Sequence, residues 1–226
     1  MKLSHKMIFE YHPDKELNWD KLRESKKNKF YWIPNSEKEY LDQRKLTYLD
    51  AVRIRFLSNY IQENKLTQIF SIGSGRANFE YFLKTEIKIV TIVTDYSQTI
   101  KKLEKFKIFD QIKILDAKKD FKIEKPNKTL VILSRIDTEF SDKDLYKLVK
   151  NLSDNGVDNI YFIVAQLLTL KTFFIEIKIR ILAIIREKKL INCGVSRSKS
   201  EFISLFSNHY NISTIDNFKS FMLSRK

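Results

Sequence analysis

The stretch Phe70-Ser71-Ile72-Gly73-Ser74-Gly75-Arg76-Ala77-Asn78-Phe79-Glu80-Tyr81-Phe82-Leu83 decides the fold. An apolar run from Leu66 to Ile72 ends at a glycine and gives way to a predicted helix over Arg76–Lys84. A short apolar run bounded in this way suits a buried strand. The chain has only four glycines, and two of them, Gly73 and Gly75, flank Ser74 at this junction. Glycine lets the backbone turn sharply and approach a ligand with no Cβ in the way. The following helix presents free N–H groups at its start, which suit a phosphate or a carboxylate. Taken alone, Gly-x-Gly equally describes a tight strand–helix turn with no ligand. A dinucleotide fingerprint needs another glycine or alanine at position 78, which is Asn78, and the Gly-Lys-Ser/Thr of a P-loop is absent. Adenosine-type ligands without a pyrophosphate are the better match.

Downstream of the loop, strands and helices alternate. Residues 87–94, 111–115, 129–133 and 159–164 read as strands, and residues 97–107 and 142–152 as helices. The end of the chain reads as a helix over residues 198–207. Two strands follow, Tyr210–Ile215 and Phe218–Ser224, joined by the turn Asp216-Asn217 into an antiparallel hairpin. The expected fold is α/β, with a mostly parallel seven-stranded sheet, helices on both faces and a C-terminal antiparallel hairpin. Upstream, residues 36–64 read as a helix capped by Ser36 with Glu39 three residues on, and residues 1–30 as an irregular extension lying over the domain. The expected organisation is thus an N-terminal extension and helix, 1–64, covering a pocket in the domain formed by 65–226. Residues 167–190 are apolar-rich but interrupted by Lys171, Glu176, Lys178 and Arg180. A sheet-covering helix is expected there rather than a membrane span, an interfacial helix being the alternative.

Composition sets the outer bounds. At 43% hydrophobic and 31% charged residues the chain can build a substantial core. Its single cysteine, Cys193, excludes an intrachain disulfide framework and a cysteine-based zinc site. The N-terminal residues show no apolar signal-peptide core, so a cytoplasmic location is expected. The net charge of +14 suits an anionic partner such as nucleic acid, although the basic residues are spread along the chain and equally fit a lysine-rich composition.

Two acidic residues extend the reading of the loop. Asp95 ends the second strand about 20 residues after the glycines, where a carboxylate can accept from ribose hydroxyls or cap the helix beginning near Ser97. Asp116, after the third strand, could accept from an adenine amino group or serve as a loop residue.

With these residues in place the chain resembles the class I S-adenosylmethionine-dependent methyltransferases over roughly residues 65–226. The resemblance rests on FSIGSGRANFEYFL, TIVTDYSQTI, ILDAKKDF, TLVILSRIDTEF and the terminal helix and hairpin. It implies a Rossmann-like domain with S-adenosylmethionine as cofactor. By the resemblance, Ser71, Gly73, Ser74 and Gly75 form the loop around the methionine part. Asp95 holds the ribose, Tyr96 flanks the adenine, and Asp116 and Ala117 face the base. Ser134 and Arg135 lie near the reacting methyl group. Two departures stand out. Ser71 occupies a position where the family usually has a carboxylate that helps to hold the cofactor's amino group. Ser134-Arg135-Ile136-Asp137 lacks the Asn/Asp-Pro-Pro-aromatic signature of the amide-methylating branches. The expected acceptor is a small molecule or glycan. An RNA acceptor and a non-catalytic binding protein are the alternatives. No catalytic residue and no metal site are assigned. His5, His12 and His209 are the only histidines available as a base, and Tyr31, Trp32 and Tyr40 are candidate pocket-lining aromatics.

Overall fold

The computed structural model describes residues 19–24, 26, 31–165, 167–185, 195–215 and 220–226. Seven strands form one sheet: β1 (Gln68–Ile72), β2 (Val90–Asp95), β3 (Gln111–Ile114), β4 (Thr129–Ser134), β5 (Asn159–Ile163), β6 (Tyr210–Ile215) and β7 (Ser220–Arg225). Their order is β3-β2-β1-β4-β5-β7-β6. The first five run parallel, and β7 lies antiparallel between β5 and β6. The order reverses between β1 and β4, so a crevice opens at the C-terminal ends of these strands.

The helices are α1 (Trp19–Glu24), α2 (Glu37–Asp42), α3 (Tyr48–Glu63), α4 (Asn78–Ile87), α5 (Asp142–Asp154), α6 (Leu170–Ile185) and α7 (Lys199–Phe206). Alternate residues along each strand point to opposite faces, and each face has its own buried cluster. Phe70, Ile72, Val131, Leu133, Phe162 and Phe221 meet Leu145, Leu148 and Leu152 of α5 and Phe202 and Phe206 of α7. Ile69, Leu130, Ile132, Tyr161 and Met222 meet Ile54, Leu57 and Ile61 of α3 and Phe79 and Leu83 of α4. The near-continuous apolar strands follow from this double covering.

Several elements differ from expectation. The periodicity of residues 36–64 is split into α2 and α3, because the Thr47 side chain accepts from Asp50 N and starts a new helix. Strand β2 begins at Val90 because α4 continues to Ile87 and is closed by Lys88 in the left-handed region. Residues 98–106 form a 3₁₀ helix begun by Ser97. The helix α7 carries a full capping box between Ser198 and Glu201. The turn Asp216-Asn217, Cys193, His5 and His12 lie outside the described residues.

The larger difference is α6. Neither buried cluster on the sheet includes one of its described side chains, and Leu170, Phe174, Ile181 and Ile185 are exposed. The sheet it was expected to cover is already covered by α3, α4, α5 and α7.

Candidate functional site

The turn after β1 is held by the strand beside it. Ser74 N and Ser74 Oγ both donate to Thr94 O, at 3.0 and 3.1 Å. Gly73 has φ of +71°, and a Cβ there would overlap Ile136 Cγ2 from the loop after β4. Glycine is therefore required by both backbone and packing. Gly75 has φ of +56°, and its N–H donates to Asp95 Oδ2 at 2.9 Å.

A cavity of about 1090 Å³ opens over the ends of β1 to β5, where Ile72, Asp95, Leu115, Ser134 and Ile163 contribute to its wall. Of the ten residues expected at a cofactor, nine line this cavity: Gly73, Ser74, Gly75, Asp95, Tyr96, Asp116, Ala117, Ser134 and Arg135. Tyr96 is exposed and Arg135 takes a left-handed backbone. Asp116 accepts from Lys118 N at 3.1 Å, a loop-type bond, while still facing the cavity. The tenth residue, Ser71, is fully buried behind the wall.

Ser71 Oγ donates to Glu80 Oε1 at 2.6 Å. Glu80 lies in the first turn of α4, is buried, and lines the cavity. Desolvation pushes its carboxyl up to about 7 despite the bond from Ser71. A carboxylate is thus present beside position 71, supplied by the helix rather than by the strand. The sequence held a signal for it. Glu80 lies three residues before Leu83 on the buried face of α4, where an unpaired acid is out of place.

Asp95 is not free. It is 4% exposed and accepts from four donors. Two are the Gly75 and Ser97 amides, and two are Arg23 Nη1 at 2.7 Å and Nη2 at 3.2 Å. Arg23 belongs to α1, which is fixed at further points. Asp20 accepts from Ser97 Oγ and Thr99 N, and the Trp19 side chain hydrogen-bonds Glu139. Burial raises the Glu139 carboxyl. Trp19, Arg23, Tyr31 and Glu139 all border the cavity, so α1 forms its cover on the β2 side. On the other side the break between α2 and α3 contributes Gln43, Lys45 and Thr47, and α3 adds the ion pair of Arg53 with Asp50. That wall is polar and charged.

Of the candidate aromatics, Tyr31 lines the cavity and Trp32 and Tyr40 do not. Tyr40 is buried, its ring 3.7 Å from the Arg44 guanidinium, which rests at the same distance on Tyr81. His209 hydrogen-bonds Tyr146 at 3.1 Å, away from the cavity. Among the described residues no cluster of His, Cys, Asp or Glu could hold a metal ion. No described helix is long and apolar enough to cross a membrane.

No protein-family model matches the sequence, and no curated protein matches it. Solved structures do match the fold. The Synechocystis PCC 6803 magnesium protoporphyrin IX methyltransferase with bound S-adenosylhomocysteine superposes with a TM-score of 0.53 at 9% identity, covering 80% of this chain and 89% of that one. Human N-acetylserotonin methyltransferase in complex with S-adenosylmethionine gives 0.52 at 13% identity, over 85% of this chain and 60% of that one. Mitomycin 7-O-methyltransferase gives 0.56 at 12% identity, over 94% of this chain and 62% of that one. At such identities the likeness is one of architecture. The chain has the fold of the S-adenosylmethionine-dependent methyltransferases.

Proposed function

We propose that the chain is an S-adenosylmethionine-dependent methyltransferase acting on a small-molecule or glycan acceptor. The observation that carries this reading is convergence. The Gly73–Gly75 loop, Asp95, Asp116 and Ser134 come from four separate strand ends and border one cavity. Its volume of about 1090 Å³ leaves room for an acceptor beside the cofactor. In this reading Gly73, Ser74 and Gly75 hold the amino-acid part. Glu80, seated on Ser71, faces its ammonium in place of the carboxylate absent from position 71. Asp95 receives the ribose when Arg23 withdraws. Tyr96, Asp116 and Ala117 surround the adenine, and Ser134 and Arg135 lie toward the methyl group. Residues 31–53 complete the acceptor side over the domain that begins near residue 65.

S-adenosylmethionine supplies an electrophilic methyl carbon on a sulfonium. The protein's task is alignment of the acceptor and exclusion of water. The polar wall of Gln43, Lys45, Thr47, Asp50 and Arg53 suits a hydrophilic acceptor. Calorimetric titration with S-adenosylmethionine and S-adenosylhomocysteine tests the reading, with saturable binding of both expected. No heat at millimolar ligand would sink it. The bidentate pair of Arg23 with Asp95 favours a second reading, a non-catalytic relative in which an internal cation permanently fills the ribose position. That reading predicts no binding to the native chain.

A further inference from the structure

The outward face of α6 is bare and apolar. Leu170, Phe174, Ile181 and Ile185 are 78%, 65%, 52% and 71% exposed. At about 100° per residue these four side chains fall within about 60° of one another on the helix. Lys171 and Lys178, both exposed, lie along one flank of that stripe at about 100° and 80° from Leu170. The sequence continues as Arg186-Glu187-Lys188-Lys189. The root of the helix is fixed to the domain. Leu168 N donates to Arg197 O at 2.7 Å, and Arg197 in turn donates to Asp142 and to the carbonyls of Asp137 and Phe140. It leaves the sheet after β5, whose last residue, Ile163, lines the cavity. The helix is therefore a positioned element whose apolar stripe faces away from the core.

We infer that α6 docks the protein in the plane of an anionic lipid surface. Charge decides between a membrane and a second copy of the chain. A self-association seam along this stripe would bring the lysine flanks of two molecules together, each with a net charge of +14. Anionic headgroups supply the opposite charge to the same flank while the stripe enters the acyl boundary. Lys171 and Lys178 interrupt the described span Leu170–Ile185, and no described helix is long and apolar enough to cross a membrane, so the stripe docks in the plane of the interface. This inference does not depend on methyl transfer.

Co-sedimentation of the full chain with phosphatidylcholine vesicles, with and without phosphatidylserine, tests it. The chain should bind the phosphatidylserine vesicles and largely ignore the neutral ones. Lys171→Glu/Lys178→Glu should weaken binding by at least about 30-fold, roughly fivefold per lysine lost. Phe174→Ser/Ile185→Ser should abolish it, with circular dichroism and thermal midpoint unchanged because both side chains are exposed. Equal binding to neutral vesicles, or none to either, overturns the inference. So does a dimer in sedimentation velocity that the Phe174→Ser/Ile185→Ser variant dissolves while wild type ignores vesicles.

Discussion

Replacing Glu80 by glutamine should make the protein more stable and a poorer cofactor binder at once. The unfolded chain ionises this carboxyl near pH 4.5, the folded chain only at about 7. Between those values the unfolded state releases a proton that the folded state keeps. Stability is therefore lost as pH rises across that interval, and it stays lost above pH 7. The cost is about 3 kcal/mol. Glutamine never ionises, and its amide oxygen can still accept from Ser71 Oγ, which lies 2.6 Å from Glu80 Oε1 in the wild type. At pH 8 the variant should exceed wild type by up to about 3 kcal/mol, or roughly 6–12 °C in Tm for a chain of this size. At pH 4.5 the two should nearly coincide. Losing a charge-assisted bond to the ligand ammonium should cost about 1.5–3 kcal/mol, roughly 10- to 150-fold in S-adenosylmethionine affinity. Urea and thermal unfolding at both pH values measure the first effect, and calorimetry at pH 8 the second. 5′-Methylthioadenosine, which lacks the amino-acid part, should bind wild type and variant equally. A variant less stable than wild type at pH 8 would refute the buried-charge argument. Unchanged S-adenosylmethionine affinity would refute the ammonium role.

Further outcomes follow from the same wall of the cavity. Arg23→Ala should free the Asp95 carboxylate and raise S-adenosylmethionine affinity by up to about tenfold, while costing the free protein about 3 kcal/mol of stability. A fall in affinity would make Arg23 part of the binding site. Gly73→Ala, which meets both a left-handed backbone and Ile136 Cγ2, should destabilise by roughly 2–4 kcal/mol in urea titration. A Gly73→Ala/Ile136→Ala pair should cost less than the sum of its parts if the clash is real.

The succession of strands along the chain and the position of the loop were legible because each rests on local pattern. Apolar runs ending at Gly73, at Asp95 and before Asp116 mark strand ends, and the residues after Ser198 carry their own cap and alternation. The break at residues 43–47 was hidden because Tyr40, Arg44 and Tyr48 keep helical spacing across it, and only the Thr47 cap reveals the new start. The pairing of Arg23 with Asp95 spans 72 residues of chain. No local propensity encodes such a contact, and the ribose reading of Asp95 could not foresee that its oxygens would be occupied. The fate of α6 was illegible for another reason. Apolarity specifies that a face avoids water, not which surface covers it.

The link between Arg23 and Asp95 also bears on how a ligand would be felt. With Asp95 as the proposed ribose ligand, the Arg23 guanidinium held against it acts as a tethered competitor, present at a fixed effective concentration that dilution cannot lower. The measured affinity is then the intrinsic one multiplied by the fraction of molecules with Arg23 released. By reciprocity, whatever draws α1 away from Ser97, Asp95 and Glu139 tightens cofactor binding by the same factor by which cofactor loosens α1. The strength of the site would thus be set from the opposite end of the sequence, by how firmly six residues of helix are held down.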